Sequence, residues 1–194
     1  MTESPKLRGQ EATHPSLGVR EVTVDDVDAL REILRTAVVH PFSQEAYENE
    51  IEDVLRNVQD SLEGNRYQYY VATSEGKVLG MMGLRAVEED MRPHATRDNA
   101  CELINAYVHK DARGTGAGRL LVDTIVQRAR ELGFDELVLN SGPRYMLTGW
   151  PFWNRVFGQP NTQLRGFYGQ GWHAMFWSKL LTDMGDDSPA PPLN

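Results

Sequence analysis

Tyr107-Val108-His109-Lys110-Asp111-Ala112-Arg113-Gly114-Thr115-Gly116-Ala117-Gly118-Arg119-Leu120-Leu121 is the stretch on which the fold turns. Residues 101–108 before it read as a strand. After it, Leu121, Ile125, Ala129 and Leu132 recur at helical spacing, and Gly133 stops a helix over 117–132. They read as core with no chemistry of their own. Between strand and helix, Gly114, Gly116 and Gly118 let the backbone turn sharply and come close to a ligand. The free N–H groups of the first helical turn and the helix dipole together form an anion site of pyrophosphate size. Arg113 and Arg119 flank the turn and can add charge-assisted bonds.

Working outward, residues 19–24 alternate as a first strand. Thr23 or Asp25 can cap a helix on which Val27, Leu30, Ile33, Leu34, Ala37 and Val38 recur, with Pro41 ending it. Ser43 opens a second helix with Ala46, Tyr47, Ile51, Val54, Leu55, Val58 and Leu62 on one face, stopped by Gly64-Asn65. Residues 67–73 are aromatic and β-branched. They turn at 74–77 and pair back through 78–87 as a hairpin. A charged loop, 88–98, leads to the strand at 101–108. Beyond the glycine-rich helix come a strand over 134–140, a short helix near 150–157 and a strand pair ending over 172–181. The order is β-α-α-β-β-β-α-β-α-β-β, which predicts an α/β fold on a sheet of mixed direction. Residues 1–16 read as a flexible N-terminal arm and 182–194 as a disordered tail, leaving a domain over 17–181.

Bulk properties narrow the chemistry. Over 194 residues, a hydrophobic fraction of 40% with 25% charged residues is the mix of an ordinary globular chain, long enough for its own core. A formal net charge of -8 opposes nucleic-acid binding and suits a cationic partner such as an amine. Cys101 is the single cysteine, so no intrachain disulfide can form, as expected of a cytoplasmic protein. No apolar run approaches bilayer length, and no membrane partner is expected. The five histidines are scattered and none pairs with Cys101 at a metal-ligand spacing, so no metal is expected.

Three phosphate-binding loops compete for the glycine turn. A nucleotide P-loop needs Gly-Lys followed by Ser or Thr, whereas Gly118 is followed by Arg119 and Leu120. The dinucleotide fingerprint Gly-x-Gly-x-x-Gly fails from Gly114, where Arg119 takes the third position, and from Gly116, where Leu121 does. The third fits: Arg113-x-x-Gly116-x-Gly118 resembles the Arg/Gln-x-x-Gly-x-Gly/Ala signature of the GNAT superfamily of N-acetyltransferases. The run Glu102-Leu103-Ile104-Asn105-Ala106-Tyr107-Val108 resembles that family's fourth strand. The element order over roughly 18–181 is similar too. The resemblance implies a mixed, mostly antiparallel central sheet flanked by helices.

It also implies a reaction: an acetyl group passes from acetyl-CoA, a co-substrate, to a primary amine by direct attack in a ternary complex. A small-molecule amine is favoured over a peptide. Backbone groups of Ala106 and Val108 would hold the pantetheine arm. Arg113, Gly114, Thr115, Gly116, Ala117, Gly118 and Arg119 would hold the pyrophosphate. The amine must lose a proton before it attacks, and Glu102 is the implied base. A backbone N–H around Val108 would steady the oxyanion. Many family members carry a proton-donating tyrosine directly after a phenylalanine and a few residues ahead of a glycine. Here Phe152-Trp153-Asn154-Arg155-Val156-Phe157-Gly158 puts Trp153 at that place, and indole cannot protonate a thiolate. Tyr145 and Tyr168 are the alternative acids. Tyr145, Trp150 and Trp153 are the expected substrate walls, able to meet an amine by cation–π contact. A non-catalytic acyl-CoA sensor or subunit is the rival reading, and the family's habit of dimerising makes a homodimer a further implication.

Overall fold

The computed structural model describes residues 16–40, 43–64 and 66–181. The expected N-terminal arm, but for its last residue, and the expected tail lie outside them. The elements are β1 (Leu17–Glu21), α1 (Val27–Ala37), α2 (Glu48–Leu62), β2 (Tyr67–Ser74), β3 (Lys77–Ala86), β4 (Ala100–Val108), α3 (Ala117–Glu131), β5 (Glu136–Ser141), α4 (Gly149–Phe157), β6 (Thr162–Leu164) and β7 (Ala174–Leu180). The order read from the sequence is the order observed. The sheet runs β1-β2-β3-β4-β5-β7-β6, and every neighbouring pair is antiparallel except β4 with β5.

Strand alternation sorts the core into two faces. Cys101, Leu103, Leu137 and Leu139 turn toward α3, whose Leu121, Val122, Ile125, Val126 and Ala129 are buried against them. Tyr67, Tyr69, Val71 and Met81 turn the other way, onto Leu30, Ile33 and Leu34 of α1 and Ile51, Val54 and Val58 of α2. Below the charged loop, Val87 and Met91 pack on Val138 and Phe176 of that second face. Glu136 ties the loop down: its Oε2 accepts bonds from Thr96 N (2.7 Å), Thr96 Oγ1 (3.1 Å) and Arg97 N (2.9 Å).

Two local expectations change. The second helix starts at Glu48 rather than Ser43, because Val39 and Ala46 form a β-bridge and Gln44 takes a left-handed φ of 61°. That geometry serves a tight turn and not a helix. Leu132, expected in the core, is 41% exposed, since α3 ends one residue before it.

The feature that positions the site is a parting of β4 from β5. They pair only at Ala100↔Glu136, Cys101↔Leu137 and Glu102↔Val138. Beyond Val138, β5 stays with β7, while the rest of β4 stays with β3. A bulge in β4 accompanies the parting: Asn105 adopts φ 49°, and the β3–β4 register shifts between Met81 and Gly83. Bulges bend the strand that carries them. Tyr69, 1% exposed, holds this one by donating its hydroxyl hydrogen to Asn105 Oδ1 at 2.6 Å. Its ring crosses β3 over Gly83, where an added Cβ would lie 2.5 Å from it.

Candidate active site

A cleft of about 1340 Å³ opens where β4 and β5 part. One end is the glycine turn. Gly114 and Gly116 have φ of 82° and 98°, which side-chain-bearing residues rarely adopt. Gly118 is needed for a different reason: a Cβ there would stand 3.3 Å from the Phe152 ring of α4. The first N–H groups of α3 have no acceptor within the helix, whose ladder begins with Leu120 N to Gly116 O at 3.0 Å. Arg113 and Arg119 line the cleft beside them. Arg119 is held by Asp123 at 2.9 Å, and Arg113 Nε donates to Val108 O at 3.4 Å. Thr115 and Ala117 do not line the cleft. Thr115 Oγ1 donates to Ala112 O at 2.7 Å, and Ala117 is 1% exposed in the core, so only their backbones could meet a ligand.

The free edge of β4 forms the middle of the cleft. His109 N donates to Leu79 O of β3 at 2.8 Å. By alternation, Ala106 and Val108 turn their N–H and C=O groups away from β3, toward the gap left by β5.

At the far end stands Glu102. Its neighbours Cys101 and Leu103 enter the α3 core, so its own side chain takes the opposite face, 2% exposed. Arg85 sits directly across in the β3–β4 register. Arg85 donates through Nε (2.9 Å) and NH2 (2.8 Å), both to Glu102 Oε2, and through NH1 to Glu88 at 2.6 Å. Both Arg85 bonds go to Oε2, no hydrogen bond to Oε1 is found among the described residues, and Glu102 lines the cleft. Burial pushes the Glu102 carboxyl above its ordinary value, Arg85 opposes that, and Asp90 and Glu88 push the same way as burial.

Both candidate tyrosines line the same cavity as Glu102. Tyr168 hydrogen-bonds through its hydroxyl to Asn140 Oδ1, and its ring lies against Gly142, where an added Cβ would be 2.9 Å away. Burial pushes its pKa up to about 12, and the charges of Tyr145, Glu102 and Asp90 add to that. Tyr145 packs edge-on against Tyr107, ring centroids 6.3 Å apart. Of the expected walls, Tyr145 and Trp153 line the cavity and Trp150 does not. Trp150 donates its indole N–H to Ser141 O at 3.1 Å. Trp153 is 5% exposed, wedged between Phe152 and Phe157.

The sequence profile of the Acetyltransferase (GNAT) family matches residues 27–158, more than half the chain. The chain belongs to the GNAT acetyltransferase family. Its N-acetyltransferase fold is shared with a GNAT-family acetyltransferase from Desulfovibrio desulfuricans. That structure superposes with a TM-score of 0.69 at 17% identity, over 86% of this chain and 100% of the other. PaiA N-acetyltransferase from Thermoplasma acidophilum, solved in complex with coenzyme A, superposes with a TM-score of 0.60 at 16% identity, over 84% of this chain and 99% of the other. Human N-acetyltransferase 8 is 34% identical over 74 residues, 38% of this chain and 31% of that protein. The chain thus spans less than a third of the curated relatives it matches.

Sequence reasoning missed several groups of this GNAT-family chain's cleft. Arg85 carried a signal: the one charge in residues 78–87, beside Met81, Met82 and Leu84, and opposite Glu102 once the strand register is known. Arg144 carried none. It lines the cavity and pairs with Glu50 of α2, with bonds of 2.8 and 3.0 Å, and its guanidinium lies 4.5 Å over the Tyr47 ring. Those partners stand 94 positions apart in the chain. Among the described residues, no group of three or more His, Cys, Asp or Glu could hold a metal. No helix among them is long and apolar enough to cross a membrane.

Proposed function

We propose that this enzyme transfers the acetyl group of acetyl-CoA to a primary amine of a small molecule by direct attack in a ternary complex. The observation that carries the reading is the continuity of one cleft, from an anion-binding helix start, along a free strand edge, to a buried carboxylate. The residues fit the coenzyme. Backbone N–H groups at Gly114–Arg119, with Arg113 and Arg119, would take the pyrophosphate. The edge of β4 at Ala106 and Val108 would take the pantetheine as an added strand. Acetyl-CoA supplies the activated thioester.

The chain's own groups then divide the proton work. Glu102, raised by burial and bonded to Arg85 through Oε2 alone, takes the proton that an alkylammonium must lose at neutral pH. Arg85 positions it and keeps it charged. Val108 N–H, on the open edge, donates to the developing oxyanion. Tyr168, which lines the same cavity as Glu102 and is kept protonated by its raised pKa, supplies a proton to the leaving thiolate. Tyr168 would then serve where Trp153 cannot.

Calorimetric titration with acetyl-CoA, followed by turnover with a panel of amines, tests the reading. Glu102→Gln should lower kcat by about 10²–10⁴-fold, as loss of a general base does, with the acetyl-CoA Kd unchanged. Full activity of that variant would remove Glu102 from the mechanism.

A further inference from the structure

The acceptor half of the cleft has an unusual surface. Few large apolar side chains among the described residues are exposed, and four of them gather here: Met146 (46%), Leu147 (87%), Tyr168 (53%) and Trp172 (49%). Apolar exposure gathered at a concave mouth marks a binding surface. Deeper in, the charges are those of Glu102 and Asp90, with Arg85 and Arg144 the cations beside them; Arg155 also lines the cleft, one turn along α4 from Phe152, which packs at Gly118 on the glycine turn. Neither Arg85 nor Arg144 is available to a ligand. Arg85 spends its N–H groups on Glu102 and Glu88, and Arg144 is bidentate on Glu50 with one face stacked over Tyr47.

We infer that the acceptor is a hydrophobic monoamine: one amino group on an apolar, arene-sized body, with no carboxylate beside the amine. The amine goes inward toward Glu102, and the body rests against Leu147, Met146 and Trp172. A carboxylate on the same carbon would lie beside Glu102 and Asp90, where the neighbouring cations among the described residues, Arg85 and Arg144, are already paired, which is discrimination by an unpaired charge. A second ammonium at the outer end would lose water to an apolar rim. This deepens the acetyl-transfer reading above and rests on it.

The test measures kcat/KM, by release of the coenzyme thiol, for matched amines. Phenylethylamine is set against phenylalanine, which adds only the carboxylate, and hexylamine against hexamethylenediamine, which adds only the second charge. A Lys-bearing peptide is the macromolecular comparison. The first of each pair should lead by about tenfold or more, the scale of one unmatched charge. Leu147→Ser should cost phenylethylamine about tenfold in kcat/KM, the effect of exposing one leucine contact, with the acetyl-CoA Kd unchanged. Because Leu147 is exposed, that variant keeps the fold. Equal or better turnover of phenylalanine, the diamine or the peptide overturns the inference while leaving acetyl transfer standing. Absence of acetyl-CoA binding, read separately by calorimetry, overturns both.

Discussion

Replacing Arg85 by methionine isolates the pair at the deep end of the cleft. The side chains of Arg85 and Glu102 are 17% and 3% exposed, so solvent screens their contact little. Removing one partner of a buried pair costs about 3–5 kcal/mol, because the other charge is left without compensation. At about 2–4 °C per kcal/mol for a chain of this size, Tm should fall by about 6–20 °C. The sign with pH follows from linkage. Arg85 favours the charged form of Glu102, and without it the native carboxyl rises still further above its unfolded value. The variant's native state then binds more protons than its unfolded state, so its stability increases as pH falls through the raised native pKa. The Tm deficit should therefore be large at pH 8 and shrink toward pH 5. In the same variant the acid limb of the kcat/KM profile should move to higher pH, because the base is protonated over more of the range. Arg85→Lys, which keeps a charge and loses the fork, should fall between the two. Thermal melts from pH 5 to pH 8 and a pH–rate profile measure both effects. A Tm deficit independent of pH, with an unmoved acid limb, would refute the coupling of Arg85 to Glu102.

Other consequences concern the glycine-rich turn and the proton donor. Gly118→Val should weaken acetyl-CoA binding, read by calorimetry, because its side chain must displace Phe152, which an added Cβ would already approach to 3.3 Å. Phe152→Ala in the same chain should restore part of that affinity. Gly116→Ala meets no close neighbour, Leu17 being 3.8 Å away. It should lower stability by about 1–3 kcal/mol through its left-handed φ alone, seen as a lower denaturation midpoint. Tyr168→Phe should reduce kcat by about 10²-fold, at the low end of acid–base effects, while Tyr145→Phe leaves kcat within about threefold. The reverse ranking, from steady-state rates, would make Tyr145 the donor.

How much of this was legible varies by residue, for physical reasons. The glycine-rich turn was legible because its demands are local. Gly114 and Gly116 are read from the φ a sharp turn needs, and Arg113 and Arg119 from the charge a phosphate needs, all within seven consecutive residues. The helices and strands followed from periods of 3.6 and 2, and the start of α2 failed where a β-bridge between Val39 and Ala46 overrode the local pattern. Trp150 misled because an aromatic near a site is as easily turned onto a backbone carbonyl, here that of Ser141, as onto a ligand.

By itself, the order of residues determined the element sequence and the glycine-rich helix start, since each depends on neighbours a few positions apart. Only the tertiary structure decided what Glu102 meets. Arg85 and Tyr168 reach the same cavity through strand register, the parting of β4 from β5 and the course of the loop before β7. Arg144, which lines the cavity, pairs with Glu50 from 94 positions apart. Such contacts depend on packing across the whole sheet, which no local window of sequence contains.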